Sequence, residues 1–144
     1  LIQLTEEIVQ FVNGARVNGY PCIVATSSAD GTPNAGYIGT VLAYNNASLA
    51  YRDRTGRNPL DHLESNPKVV VLFRDSHQEV GWKFRCTAEV HRNGPVFDDV
   101  MGRLAASGMA AAPEIQAAIV VLRIDQILTL FGEILQERVP NLAW

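Results

Sequence analysis

Asp30-Gly31 separates two short runs of strand-forming residues, and no other dipeptide constrains the fold of this chain as much. Asp-Gly readily adopts the positive φ angles of a tight hairpin turn. The run before it, from Pro21 to Ser28, holds Cys22, Ile23, Val24 and Thr26, a buried-strand composition. The run after it, from about Ala35 to Leu42, then has to pair back antiparallel. Asn45-Asn46 repeats the signal and leads into a third strand, Ser48 to Arg52. No helical spacing intervenes, so the pattern is a meander and not a βαβ unit.

The flanking segments supply helices and further strands. Thr5 is an N-cap ahead of Glu6 and Glu7, with Leu4 and Val9 placed as a hydrophobic staple. Ile8, Phe11, Val12 and Ala15 then recur at helical spacing. Asn58 caps a second, short helix with Pro59 at its first position, and Leu60 and Leu63 face inward. Asn66-Pro67 ends that helix. Val69 to Phe73 form a deeply buried strand within Lys68 to Arg74, and Gly81 to Val90 form another. Gly94-Pro95 breaks the chain before a helix from Val96 to Ala106. A last long strand falls within Ala117 to Phe131, bent near Asp125. Six strands, short turns and peripheral helices predict a mainly β barrel or sandwich. With no repeat or linker, 1–144 reads as one domain.

Charge and hydropathy narrow the function. Twelve Lys/Arg against fifteen Asp/Glu give a net charge of −3, which argues against broad nucleic-acid binding. The most apolar stretch is interrupted by Arg123 and Asp125, so a membrane-spanning helix is not expected. The N-terminal residues show no basic-then-apolar leader. Cys22 and Cys86 lack any zinc-type spacing and read as core thiols of a cytoplasmic protein. No metal site is expected.

The densest polar signal is residues 52 to 58, which hold Arg52, Arg54 and Arg57 with Thr55, Gly56 and Asn58. The segment lies between a strand and a helix start. Backbone N–H groups there favour an anion, and arginine adds bidentate pairing to phosphate oxygens. The loop is therefore either a phosphate cradle or a solvated turn. No P-loop or dinucleotide-binding glycine motif is present. His62, His77 and His91 belong to no recognisable triad, and no catalytic acid or base stands out. Trp82 and Phe84 share one strand face and read, with Phe73, as core aromatics. Lys83 and Arg85 share the other face, which suits solvent or an anionic ligand.

In series, "IVATSSADGTPNAGYIGTV", "LAYRDRTGRNPLDHLESNPKVVVLF" and "GWKFRCTAEVHRNGPVF" resemble the FMN-binding split β-barrel family related to pyridoxamine 5′-phosphate oxidase. The resemblance spans roughly residues 21 to 97. It implies a six-stranded antiparallel split barrel, and a homodimer with FMN at the subunit interface acting on a small molecule. It implies that Tyr37, Ile38, Gly39 and Thr40 lie along the flavin, with Gly39 admitting the ring and Thr40 donating to the cofactor. It also implies that Tyr51, Arg52, Asp53, Arg57 and Asn58 hold the phosphate end. Trp82 and Lys83 would reach the flavin across the dimer. The C-terminal "ILQERVPNLAW" lacks the arginine-histidine substrate motif of the true oxidases, so the vitamin B6 reaction is not implied. The expected function is an FMN-dependent oxidoreductase. The alternative is a non-enzymatic binder of FMN, haem or a deazaflavin, or a structural barrel.

Overall fold

A computed structural model describes residues 1–54, 60–111 and 116–144. Its elements, in chain order, are α1 (Glu6–Asn13), β1 (Cys22–Ser27), β2 (Pro33–Ile38), β3 (Leu42–Asn45), β4 (Ser48–Asp53), α2 (Leu60–Ser65), β5 (Lys68–Asp75), β6 (Val80–His91), α3 (Pro95–Ala106), β7 (Ala118–Leu128) and β8 (Ile134–Glu137). The strands form one antiparallel sheet in the order β2-β1-β5-β6-β7-β4-β3, with β8 pairing on β7. The mainly β, antiparallel expectation holds.

Among the described residues the strands number eight, not six, for two local reasons. The run expected as one strand from Ala35 to Leu42 is broken after Ile38, and Gly39, Thr40 and Val41 connect β2 to β3. The expected final strand likewise turns at Phe131-Gly132, where Gly132 has φ +98°, and returns as β8.

The break after Ile38 closes the barrel. β2 and β3 stand at opposite ends of the strand order. Laid flat, seven strands would separate them by about 29 Å, six spacings of about 4.8 Å. Three linking residues span at most about 14 Å between flanking Cα atoms. The sheet therefore has to curl until its edges approach each other. A seam remains where β2 and β4 face one another without a ladder.

The interior is filled from alternate strand positions. Val69, Val71 and Phe73 of β5 and Trp82, Phe84 and Cys86 of β6 point inward with Leu49, Tyr51, Leu122, Ile124 and Ile127. Thr5 caps α1 as expected: its hydroxyl accepts from the Ile8 N–H at 3.2 Å. Ile8 and Val12 are buried, and Phe11 lies 6.0 Å from both the Phe73 and Trp82 rings. A second cluster, Ala50, Ile119, Val100 and Leu104, joins α3 to β4 and β7. This leaves β4 buried along its whole length.

The expected bend near Asp125 is a bulge. Cys86 pairs with Ile124 and Arg85 with Gln126, so Asp125 has no opposite residue. The side chain it displaces is only 2% exposed and fully partnered. The Thr87 hydroxyl donates to it at 2.6 Å, Arg138 Nε at 3.0 Å and the Trp144 indole N–H at 3.2 Å. This buried carboxylate pins the C-terminal segment to the sheet. Asp125→Ala should cost about 3 kcal/mol in urea unfolding, as removal of one member of a buried charge pair does. The same substitution should raise the acrylamide quenching of Trp144.

The Asp30-Gly31 turn forms as read, with Gly31 at φ +88°. Asp30 accepts from the Ser28 hydroxyl, the Thr32 N–H and the Thr32 hydroxyl, and these donors hold its carboxyl down to about 2. A lowered folded-state value means that the turn is stabilised above the ordinary carboxylate range near 3.9. That support is lost as pH falls through about 2. A carboxyl-carbon NMR titration should place the Asp30 midpoint near 2, and a midpoint near 4 would refute the network.

Candidate functional site

A cavity of about 690 Å³ opens along the seam between β2 and β4. That volume falls in the range of small-molecule and cofactor sites. Its floor comes from β1, where Val24 pairs with Gly36 and Thr26 with Asn34 on β2. Tyr51, Arg52 and Asp53 wall one side, α2 contributes His62 and Leu63, and the chain after α3 contributes Gly108, Met109 and Ala110.

Thr40 ties the link between β2 and β3 to the cavity wall. β3 pairs with β4 through Leu42 and Ala50, and the next pair outward in that register is Thr40 with Arg52. There the ladder continues through a side chain. The Arg52 N–H donates to the Thr40 hydroxyl at 3.0 Å, and that hydroxyl donates to the Arg52 carbonyl at 3.2 Å. The resemblance implied that Thr40 donates to a cofactor. In the structure the Thr40 hydroxyl donates to the Arg52 carbonyl, so Thr40 positions that residue.

Arg52 is 4% exposed and lines the cavity. Its Nη1 donates to the Met109 carbonyl at 2.7 Å, while its Nε is buried without a partner. Burial and the neighbouring Arg54 charge lower its affinity for its proton. Among the described lining residues, three arginines (Arg16, Arg52 and Arg54) stand against one carboxylate, Asp53. An anion entering this cavity gains Coulomb energy at low dielectric and relieves like-charge repulsion. Burial, reinforced by the Asp53 charge, also holds the Tyr51 phenol protonated.

The sequence expectations divide accordingly. Tyr37, Ile38, Gly39, Thr40, Tyr51, Arg52 and Asp53 all line the cavity. Arg57 and Asn58 lie outside the described residues. Trp82 is in this chain's core, stacked 6.1 Å from Phe73, and neither it nor Lys83 lines the cavity. The core reading of Trp82, Phe84 and Phe73 is therefore the one observed. Arg85, the other half of the basic face, donates to Gln126 at 3.0 Å and lies over the Trp144 ring.

Sequence reasoning missed Arg16, Thr32, Asn34, His62 and Met109 as cavity residues. Only tertiary contact brings the turn after α1 and the end of α3 to the seam. His62 carried a weak signal, one turn into a helix that follows the arginine loop. Gly39 was expected to admit a flavin ring. In the structure, a Cβ at position 39 would stand 3.0 Å from Arg16 Cδ, so the missing side chain makes room for Arg16.

The strands thus form an antiparallel barrel split at one seam, with a cationic cavity in the split. The family model described as pyridoxamine 5′-phosphate oxidase matches residues 4–131, and the chain belongs to that family. No curated protein sequence matches it. Among solved structures, HupZ of Group A Streptococcus is 22% identical, with a TM-score of 0.76 over 92% of this chain and 99% of that one. A Lactobacillus delbrueckii protein named for pyridoxamine 5′-phosphate oxidase is 24% identical, with a TM-score of 0.68 over 88% and 94% of the two chains. An FMN-binding protein of Syntrophomonas wolfei is 16% identical, with a TM-score of 0.62 over 86% of each. These likenesses establish the shared fold.

Thr40→Val removes both hydrogen bonds to Arg52 and leaves a buried N–H unpaired. It should cost about 1–3 kcal/mol in equilibrium unfolding. Thr40→Ser, which keeps the hydroxyl, should recover most of that loss.

Proposed function

We propose that the seam cavity binds FMN and that the protein is a flavin-dependent oxidoreductase acting on a small molecule. The observation that carries this reading is Arg52, buried in the cavity wall with an unpartnered Nε, beside Arg54 and against the one carboxylate among the described lining residues. Family membership gives the same direction. The residues fit the cofactor. A Cβ at Gly36 would meet nothing within 4 Å, which leaves the β2 face accessible to a planar ring. Arg52 and Arg54 would supply donors for the phosphate, and Arg57 and Asn58 follow them in the sequence. Tyr37 and Ile38, which also line the cavity, would hold the ring and ribityl chain.

When bound, the flavin supplies hydride or electron-pair transfer at its ring. The chain's own residues bind and orient. Arg52, tied to Thr40 and Met109, is fixed before the anion arrives, so little side-chain entropy is lost on binding. Tyr51, held protonated, adds no negative charge beside the phosphate.

A second copy of the chain completes the site in this reading. β2 is an edge strand exposed at every position except the half-buried Ile38, and Tyr37 is 73% exposed. Tyr37 lines both the seam cavity and a neighbouring groove with Ile23 and Leu72. Apolar surface of this kind on an edge marks an interface. Lys83, on the outer face of β6, is then free to approach the partner's flavin. Trp82, with its ring in the core, supports that strand from beneath. No described helix is long and apolar enough to cross a membrane, and a cytoplasmic location completes the reading.

The purified protein should take up FMN at one per chain in a species sedimenting at twice the chain mass. NADH or NADPH should bleach the flavin bands. Arg57→Ala and Arg54→Ala should each weaken FMN binding about ten- to a hundredfold and leave riboflavin, which lacks the phosphate, nearly unaffected. Equal loss of both ligands would indicate a folding defect. No loss of either would place the phosphate elsewhere.

A further inference from the structure

Arg16 has a role that the cofactor's phosphate does not explain. It lies in the turn after α1, where the chain is tightly held. Ala15 is 4% exposed, the Tyr20 N–H donates to the Ala15 carbonyl at 2.8 Å, and the Gly19 N–H donates to the Arg16 carbonyl at 3.1 Å. Gly19 takes φ +86° to close this turn. The backbone that carries Arg16 is therefore fixed.

Its side chain is guided as well. Arg16 Cδ, Cγ and Nε lie 3.0, 3.6 and 3.6 Å from the position a Cβ would occupy on residue 39. Gly39 has no positive φ that would demand a glycine. The space it leaves is used by the arginine stem. Arg16, a solvent-exposed residue, thereby joins Gly39 in lining the cavity.

That guanidinium has no ion pair among the described residues, whereas Arg92, Arg103, Arg123 and Arg138 each have a carboxylate partner. A planar, permanently charged fork with no ion pair of its own among the described residues, at a concave site, suits bidentate pairing with a carboxylate or phosphate. Arg52 is already engaged by Met109, and in the reading above it serves the cofactor phosphate with the loop that follows β4. Arg16 comes from a different element and reaches the cavity from the β2 end, across Gly39.

We propose that Arg16 is the recognition residue for the anionic group, carboxylate or phosphate, of a small-molecule substrate that enters the cavity beside the flavin. This inference rests on the seam cavity being the flavin site. It makes Gly39 a substrate-side residue through its contact with Arg16.

The test uses FMN-loaded protein, in which the cofactor's phosphate subsite is filled. Inorganic phosphate and succinate are titrated separately at ionic strength matched with chloride. Binding is followed by calorimetry and by the flavin difference spectrum. The wild type should bind at least one of the two saturably, and the effective anion identifies the substrate's charged group. Arg16→Gln should weaken that binding by about tenfold or more, with FMN affinity and thermal midpoint unchanged. Arg16→Lys, which keeps the charge without the fork, should fall between the two. Wild-type protein that binds neither anion, or an Arg16→Gln variant that binds as wild type, would overturn the proposal. So would an Arg16→Gln variant that loses affinity for FMN but not for riboflavin, since Arg16 would then hold the cofactor phosphate. If the protein takes up no FMN, the flavin reading fails by itself. Calorimetry on the flavin-free chain then still reads Arg16: loss of anion binding in Arg16→Gln upholds the anion subsite, and unchanged binding overturns it.

Discussion

The three-residue link from β2 to β3 is the constraint on which the rest of the molecule depends. It joins the two ends of the strand order, so the sheet has to curl. The curl encloses the apolar interior and leaves the seam between β2 and β4. Thr40, in the middle of the link, prevents the seam from opening further by extending the β4 ladder through its hydroxyl. One short connection thus sets the barrel, the cavity and the position of Arg52.

The cavity is polar because of what surrounds it. α3 covers the outer face of β4 and buries Arg52 beneath the chain at Met109. A buried guanidinium is costly unless its charge is answered. Here it is answered in part by a carbonyl, and its Nε remains unpaired. In the proposed reading an anionic ligand would supply the missing counter-charge. Elsewhere in the chain the opposite arrangement occurs. Asp125 is buried and paired on several sides, and it fastens a segment in place. One buried charge is satisfied and structural, the other under-satisfied and aimed into a cavity.

The two cysteines fit neither role. Cys22 and Cys86 are both buried, and burial pushes the Cys22 thiol up to about 12. Burial, with the Asp125 charge behind it, raises Cys86 as well. Thiols held in this way are poor nucleophiles. They contribute packing volume to the barrel interior.

The sequence by itself determined the local structure and named several of the residues that line the cavity. Asp30-Gly31 made a turn because the geometry requires it, and Thr5 capped a helix because its hydroxyl reaches the third N–H beyond it. Alternation put Trp82 and Phe84 in the core, and the expected bend at Asp125 became a bulge. The run Tyr37 to Thr40 and the strand end Tyr51 to Asp53 were legible because strand, loop and helix signals stood in a familiar order. Tertiary structure alone decided the rest. Nothing local to Ile38 says that the next three residues cross from one edge of a sheet to the other. Arg16, Met109 and His62 carry no shared motif, since they come from three separate elements. Thr40 looked like a free donor until its partner was known. Local signals depend on neighbours in sequence, whereas a cavity depends on neighbours in space, and here closure of the barrel supplies those.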